Sequence, residues 1–217
     1  PLHTDARYFR AAVADGATET SFADIWAREL VRAYGKGRLD CDRWEQSLAA
    51  SRRRWHFQTS RRSLPWYGEE KRRQGAYAAI VGLKLLESGR WMAMAIGDSC
   101  LFHIRRERLI KAFPLTSSGD FGSRPRLIGS VSNGRKDDEP RIERTTGRWH
   151  LGDEFLLATD ALAAWALATV EAGERPWTQL RQVLKESHQD SAELITSLRE
   201  SGALRNDDVT LLRAVVS

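Results

Sequence analysis

Short apolar runs, each abutting an acidic residue, organise this chain. Ala11-Ala12-Val13-Ala14 leads into Asp15-Gly16, Met92-Ala93-Met94-Ala95-Ile96 into Gly97-Asp98-Ser99, and Phe155-Leu156-Leu157-Ala158 into Thr159-Asp160. Val209-Thr210-Leu211-Leu212 instead follows Asp207-Asp208. Such runs read as buried strands. Between them the period changes. Phe22, Ile25, Trp26, Leu30, Ala33 and Tyr34 recur on one helical face, with Ser21 and Asp24 in capping-box spacing and Gly35 and Gly37 beyond the end. A second helix is expected from 42 to about 57, and residues 60–65 break its pattern. Stretches 75–86, 90–96, 100–105 and 108–113 read as an antiparallel meander, with tight connections at Gly89 and at Arg106-Glu107. Residues 114–140, rich in Ser, Gly, Pro and charge, form a long loop or flap. Strands follow near 142–148 and 154–159. A helix at 161–172 carries Leu162, Trp165, Ala166 and Thr169 on one stripe. A helical region at 176–200 opens on Pro176, and a strand at 208–215 closes the chain. Helices and antiparallel strands in blocks predict an α+β domain rather than a βαβ array.

The length, 217 residues, suits one sizeable core, and residues 1–217 read as a single domain whose N-terminal edge is open to further residues. No stretch is long and apolar enough to cross a bilayer, and Pro1-Leu2-His3-Thr4-Asp5 lacks a basic-then-apolar signal pattern. Cys41 and Cys100 make no metal or disulfide spacing, so a reducing cytoplasm is the expected compartment. The net charge of +5 gathers at Arg52-Arg53-Arg54, Arg61-Arg62 and Lys71-Arg72-Arg73, interleaved with Trp44, Trp55, Trp66 and Tyr67. That mixture can hold a phosphate backbone and stack bases. The plainer alternative is a helix with its aromatics in the core and its arginines in solvent. No zinc-finger spacing or RNA-binding aromatic motif accompanies it, so nucleic acid is not the expected partner.

The acidic segments carry the chemistry. Singly, each has a bland reading: Asp-Gly is a common turn, Gly97-Asp98-Ser99 a short connection, Asp160 a helix N-cap, and Asp207-Asp208 a solvated pair. Jointly, four carboxylate segments at strand ends point to convergence. Gathered carboxylates repel each other unless a cation sits among them. An all-oxygen set favours a hard ion such as magnesium or manganese. The histidines, His3, His56, His103, His150 and His188, show no ligand spacing, and His103 and His150 read as structural or surface residues.

From about Phe9 to Val216 the order of these segments resembles the metal-dependent protein phosphatase 2C family. The matching residues are Val13-Ala14-Asp15-Gly16, Ala95-Ile96-Gly97-Asp98-Ser99, Gly152 through Asp160, and Asp207-Asp208-Val209-Thr210. The run Asp15-Gly16-Ala17-Thr18-Glu19, with Ser21-Phe22 and Trp26-Ala27, is similar to a divergent bacterial branch. The resemblance implies an α-β-β-α sandwich of two antiparallel sheets flanked by helices, with two or three Mn2+ or Mg2+ ions at one end. It implies that Asp15 bridges two ions, that the Gly16 carbonyl ligates one, that Asp160 and Asp207 hold the other, and that Asp98 with Asp160 supports a third. Asp5 and Asp208 are its weaker matches, Asp208 standing as an alternative to Asp207. The implied activity is hydrolysis of phosphoserine or phosphothreonine in proteins by a metal-activated water, with Asp15 and Asp160 as catalytic residues. The implied partners are phosphorylated substrates and the cognate Ser/Thr kinase, with no membrane.

The chain departs from the family pattern in three places. Only His3-Thr4-Asp5-Ala6 precedes the first strand, where an Arg and an acidic pair are usual, leaving Arg7 or Arg10 as substitutes for the phosphate arginine. Two glycines after Asp15-Gly16 are replaced by Thr18 and Glu19, and Ala161 follows Asp160 where Gly is usual. These departures leave open an alternative: a phosphatase-like signalling or binding module without turnover. The flap at 114–140 and the basic stretch at 52–73 are the expected substrate-recognition surfaces.

Overall fold

Strands that are apolar on both faces sort their side chains by period-two alternation into separate cores. The computed structural model describes residues 3–5, 8–18, 20–39, 43–61, 66–122, 125–132, 140–185 and 188–217. One sheet runs in the order β1 (His3–Asp5), β2 (Tyr8–Gly16), β3 (Tyr77–Leu86), β4 (Arg90–Ile96) and β8 (Glu143–Arg148). The short β7 (Ile128–Gly129) adds to the start of β3. The second sheet runs β10 (Leu211–Val215), β9 (Glu154–Ala158), β5 (Cys100–Arg105) and β6 (Arg108–Phe113). All these pairings are antiparallel.

Between the sheets lie Val13, Val81, Leu83, Trp91, Ala93, Leu101, Phe155 and Leu157. Their neighbours in sequence point outward to helices. Ala12, Ile80, Met94 and Ile96 pack under α1 (Ala23–Gly35) and α2 (Trp44–Ser60). Phe102, Ile104, Leu156 and Ala158 pack under α4 (Asp160–Glu171), α5 (Trp177–Lys185) and α6 (His188–Glu200). The result is the expected α+β sandwich of two antiparallel sheets flanked by helices. α3 (Trp66–Gln74), which precedes β3, completes the set.

Five local expectations are revised. The predicted meander is two hairpins, β3–β4 and β5–β6, one in each sheet, because residues 97–99 cross from one sheet to the other. Its two tight turns hold, with Gly89 at φ 76° and Arg106-Glu107 at φ 49° and 63°. The Ser21/Asp24 capping box is absent: α1 begins after Phe22, itself left-handed at φ 63°, with no side-chain cap. The Thr20 hydroxyl instead donates to the Ala17 carbonyl and accepts from the Tyr77 amide, folding the chain tightly between β2 and α1. α4 is apolar nearly all round rather than along one stripe, since Ala161, Leu162, Ala163, Trp165, Ala166 and Leu167 are all buried. The helical region at 176–200 is two helices, and the last strand begins at Leu211 rather than 208.

Candidate metal centre

Both sheets terminate in acidic residues at one end of the sandwich. Asp15 and Gly16 are the last residues of β2. A Cβ on Gly16 would fall 2.8 Å from the Ala23 backbone, so only glycine lets α1 start against the strand end. Asp98 sits on the crossing between sheets. It follows Gly97, whose φ of +89° and whose closeness to Ala79, 2.7 Å from a built Cβ, both exclude a side chain. These two glycines answer to close packing rather than to an exposed turn. Asp160 opens α4, where its Oδ1 accepts from the Ala161 amide at 2.7 Å and its charge suits the helix N-terminus.

Thr159 fastens the last acidic segment to this corner. Its amide donates to the Thr210 carbonyl at 3.1 Å, and its Oγ1 accepts from the Thr210 amide at 3.0 Å and donates to the Asp208 carbonyl at 3.2 Å. Asp207 is thereby carried beside Asp160.

Asp15, Asp98, Asp160 and Asp207 line one cleft of about 500 Å³. Gly16, Thr18, Tyr77 and Arg205 share its wall, as do Gly122, Pro125 and Leu127 from the flap. Burial, then repulsion from Asp160, Asp207, Asp98 and Asp208, pushes the Asp15 carboxyl up to about 7. Burial and Asp160 push Asp98 up to about 6, against the pull of its own backbone amide and Arg205. Asp160 is also raised, chiefly by burial, against its bond from Ala161. Three carboxylates raised in this way, beside Asp207 in the same wall, are short of positive charge. An all-oxygen donor set of this charge fits a hard divalent ion. Among the described residues, no three such groups close on one point as they stand. The fit therefore rests on donor chemistry and shared placement, and a bound ion would draw the side chains inward.

Several expected participants lie elsewhere. Asp5 has its backbone paired with Tyr8, seven residues before Asp15, so it stands about 23 Å away along the strand; its side chain is outside the described residues. Asp208 is exposed, gives its amide to Asp207 Oδ1 at 2.8 Å, and is not part of the cleft wall. Arg10 is buried at 5% exposure with its guanidinium over the rings of Tyr8 and Tyr34, far from Asp15. Arg7, the other proposed phosphate arginine, is outside the described residues. Among its described residues, the basic stretch at 52–73 contributes nothing to the cleft wall. Trp55 is buried, Arg54 pairs with the buried Glu29 at 2.9 Å, and Arg52 donates to the Gly129 carbonyl at 3.1 Å. Arg52 and Arg54 are thus engaged within the protein, while Arg53, Arg61, Lys71 and Arg73 are exposed, in keeping with the plainer alternative of core-facing aromatics such as Trp55 and solvated basic residues. The expectation for the flap fits better, since three flap residues share the cleft wall with the carboxylates, while residues 123–124 and 133–139 lie outside the described set.

Two residues escaped the sequence reading. Thr159 acts through backbone bonds that periodicity does not reveal. Arg205 stands two positions before Asp207, and that adjacency was the available signal. A larger cavity, about 810 Å³, opens at the other end of β5 and β9, beside Arg105, Glu107, Glu154 and Arg181. In its wall Arg181 pairs with Glu107 and Glu154, and Arg105 pairs with Asp153 just outside it.

The family model described as protein phosphatase 2C matches residues 2–199. Among solved structures, the Mycobacterium tuberculosis serine/threonine phosphatase PstP/Ppp is 16% identical, covering 100% of this chain and 91% of its own, with a TM-score of 0.58. The catalytic domain of PstP in complex with two manganese ions is 17% identical over 100% and 91%, with a TM-score of 0.57. Serine/threonine phosphatase Stp1 from Staphylococcus aureus is 14% identical over 100% and 87%, with a TM-score of 0.58. At such identities these likenesses speak to the fold. No curated protein sequence matches the chain.

Proposed function

This chain belongs to the protein phosphatase 2C family, and on that premise we propose that it is a metal-dependent phosphoserine/phosphothreonine protein phosphatase. The observation that carries the reading is the delivery of Asp15, Asp98, Asp160 and Asp207, from both sheets, to one cleft. Asp15, the Gly16 carbonyl, Asp160 and Asp207 would hold two Mn2+ or Mg2+ ions, with Asp98 and Asp160 available to a third. Such ions supply an activated water and neutralise charge on the phosphoryl oxygens. The chain's own share is positioning. β2 and α4 fix Asp15 and Asp160 on rigid elements, and Thr159 holds the segment bearing Asp207. The flap residues Gly122, Pro125 and Leu127 share the cleft wall with the carboxylates. Phosphorylated proteins and their Ser/Thr kinase are the proposed partners, and the cytoplasm the proposed compartment. No helix among the described residues is long and apolar enough to cross a membrane.

The test is hydrolysis of a small aryl phosphate with Mn2+, with Mg2+ and with chelator, beside Asp160→Asn. Turnover that needs metal and disappears in the variant supports the reading. Folded protein inert in every metal sinks it. A second reading, a phosphatase-like binding module, is favoured by the failure of any three carboxylates among the described residues to close on one point. It predicts Mn2+ or phosphopeptide binding without hydrolysis.

A further inference from the structure

A cleft lined by four carboxylates must still admit a phosphate dianion, which calls for a cation that the protein itself provides. Arg205 is the one basic side chain in its described wall, facing the same space as Asp15, Asp98, Asp160 and Asp207. Its backbone is held while its head group stays free. Leu204, 3% exposed, anchors the turn and donates its amide to the Leu198 carbonyl at 2.9 Å. The Arg205 carbonyl accepts from the Asp207 amide at 3.0 Å, and Arg199 donates to the Asp207 carbonyl. An arginine that served only to neutralise aspartates would pair with one. Among the described residues Arg205 forms no ion pair or side-chain hydrogen bond, although its charge reaches both Asp98 and Asp160. Arg10, the sequence's candidate for this task, is committed to two tyrosine rings elsewhere.

We propose that Arg205 binds the phosphoryl oxygens of the substrate, a phosphate-recognising side chain delivered from the turn before the last strand. A guanidinium presents a planar fork that matches two phosphoryl oxygens at once. The assignment rests on the phosphatase reading, so its test separates the two.

Binding of inorganic phosphate to Mn2+-loaded protein is measured by calorimetry for the native chain, Arg205→Ala and Arg205→Lys, with KM and kcat for an aryl phosphate alongside. Mn2+ affinity without phosphate is the control. Arg205→Ala should weaken phosphate binding and raise KM about tenfold or more, with a smaller change in kcat. Arg205→Lys should recover part of the loss, and Mn2+ affinity should hold or tighten. Unchanged phosphate affinity in Arg205→Ala, with a native enzyme that turns over, overturns the role of Arg205 alone. A parallel loss of Mn2+ affinity also overturns it, as the mark of mere support for the carboxylates. Native protein that binds no phosphate overturns both readings.

Discussion

His103 Nε2 and Asp153 Oδ2 lie 2.7 Å apart, both side chains essentially sealed from solvent. Arg105 closes the same carboxylate with two bonds of 2.7 Å, and the His150 amide adds a third donor group at 2.9 Å. The His103 ring stacks on Phe155 at 4.5 Å and meets Trp91 edge-on. This cluster joins β5 to the entry of β9 at the end remote from the cleft. The register it clamps pairs His103 with Phe155 and Cys100 with Ala158. Asp98 and Asp160 follow directly from those strand ends. A slip of one residue would turn every side chain to the opposite face, so this buried cluster, remote from the chemistry, supports the register on which the facing of the carboxylates depends.

Asp153→Asn should therefore lower stability by about 3 kcal/mol, since it strands a buried histidine and an arginine. That corresponds to a Tm drop of about 6–12 °C for a chain this size, read by thermal melting. An unchanged melting point would remove the clamp from the account.

The same cluster predicts acid sensitivity. Burial holds the His103 pKa below its ordinary value, with the bond to Asp153 opposing. Burial would raise Asp153, but the bonds from Arg105, His103 and the His150 amide outweigh it and hold the carboxyl well below the usual range. An unfolded histidine takes a proton below about 6.5 while the folded one stays neutral, so stability should fall as pH drops through that region. The depressed Asp153 adds stability that is present above about 3.9 and is lost as pH falls below it. Urea melts of Asp153→Asn across pH 5 to 7 should show a steeper slope than the native chain, because the substitution removes the bond and charge that oppose the lowering of the His103 pKa, an effect a neutral packing role would not produce.

In metal-free protein the carboxylates oppose folding. Asp15 is raised from 3.8 to about 7, so between these values the folded state keeps a proton that the unfolded chain has released. Stability should decline with rising pH through that window, the penalty being complete above it. Asp15→Asn should stabilise the chelated protein at pH 8 by about 1–2 kcal/mol after solvent screening, while losing most of any Mn2+-induced rise in Tm. Destabilisation in chelator would contradict the crowded-carboxylate account.

Gly82 lies beneath Tyr34 of α1, where a built Cβ would fall 2.3 Å from the ring. Tyr34 is buried at 1% exposure and has little room to yield. Gly82→Ala should cost about 1–3 kcal/mol by overpacking, measured by urea unfolding. A neutral result would mean the helix can lift off the sheet freely.

The flap is tied to α1 by Trp26, fully buried, whose Nε1 donates to the Ile128 carbonyl at 2.8 Å. Trp26→Phe should cost about 1–3 kcal/mol by orphaning that carbonyl. It should also speed limited proteolysis between 125 and 132. Proteolysis at the native rate would show that the paired β7 strand holds the segment without the indole.

How much was legible follows from the range of each interaction. The β3–β4 turn is carried by Gly89 and its neighbours, and the β5–β6 turn by Arg106-Glu107, so both could be read locally. The split of the expected meander between two sheets could not, since residues 97–99 look like one more short turn until β9 pairs with β5. Arg10 read as a possible phosphate ligand because a lone arginine in a strand carries no mark of burial. Only the packing of Tyr34 and Tyr8 around it removes it from the surface.

The sequence alone determined the apolar runs, their alternation and the acidic residues at their ends, because side-chain period and turn dihedrals are properties of neighbours along the chain. Tertiary structure alone decided that Asp15 from one sheet meets Asp160 and Asp207 from the other, that Asp5 is held far away, and that Arg205 is the cation among them. Those outcomes depend on strand register and on closing loops of many residues. Their entropic cost is met only when all three cores pack together, so no single segment contains them.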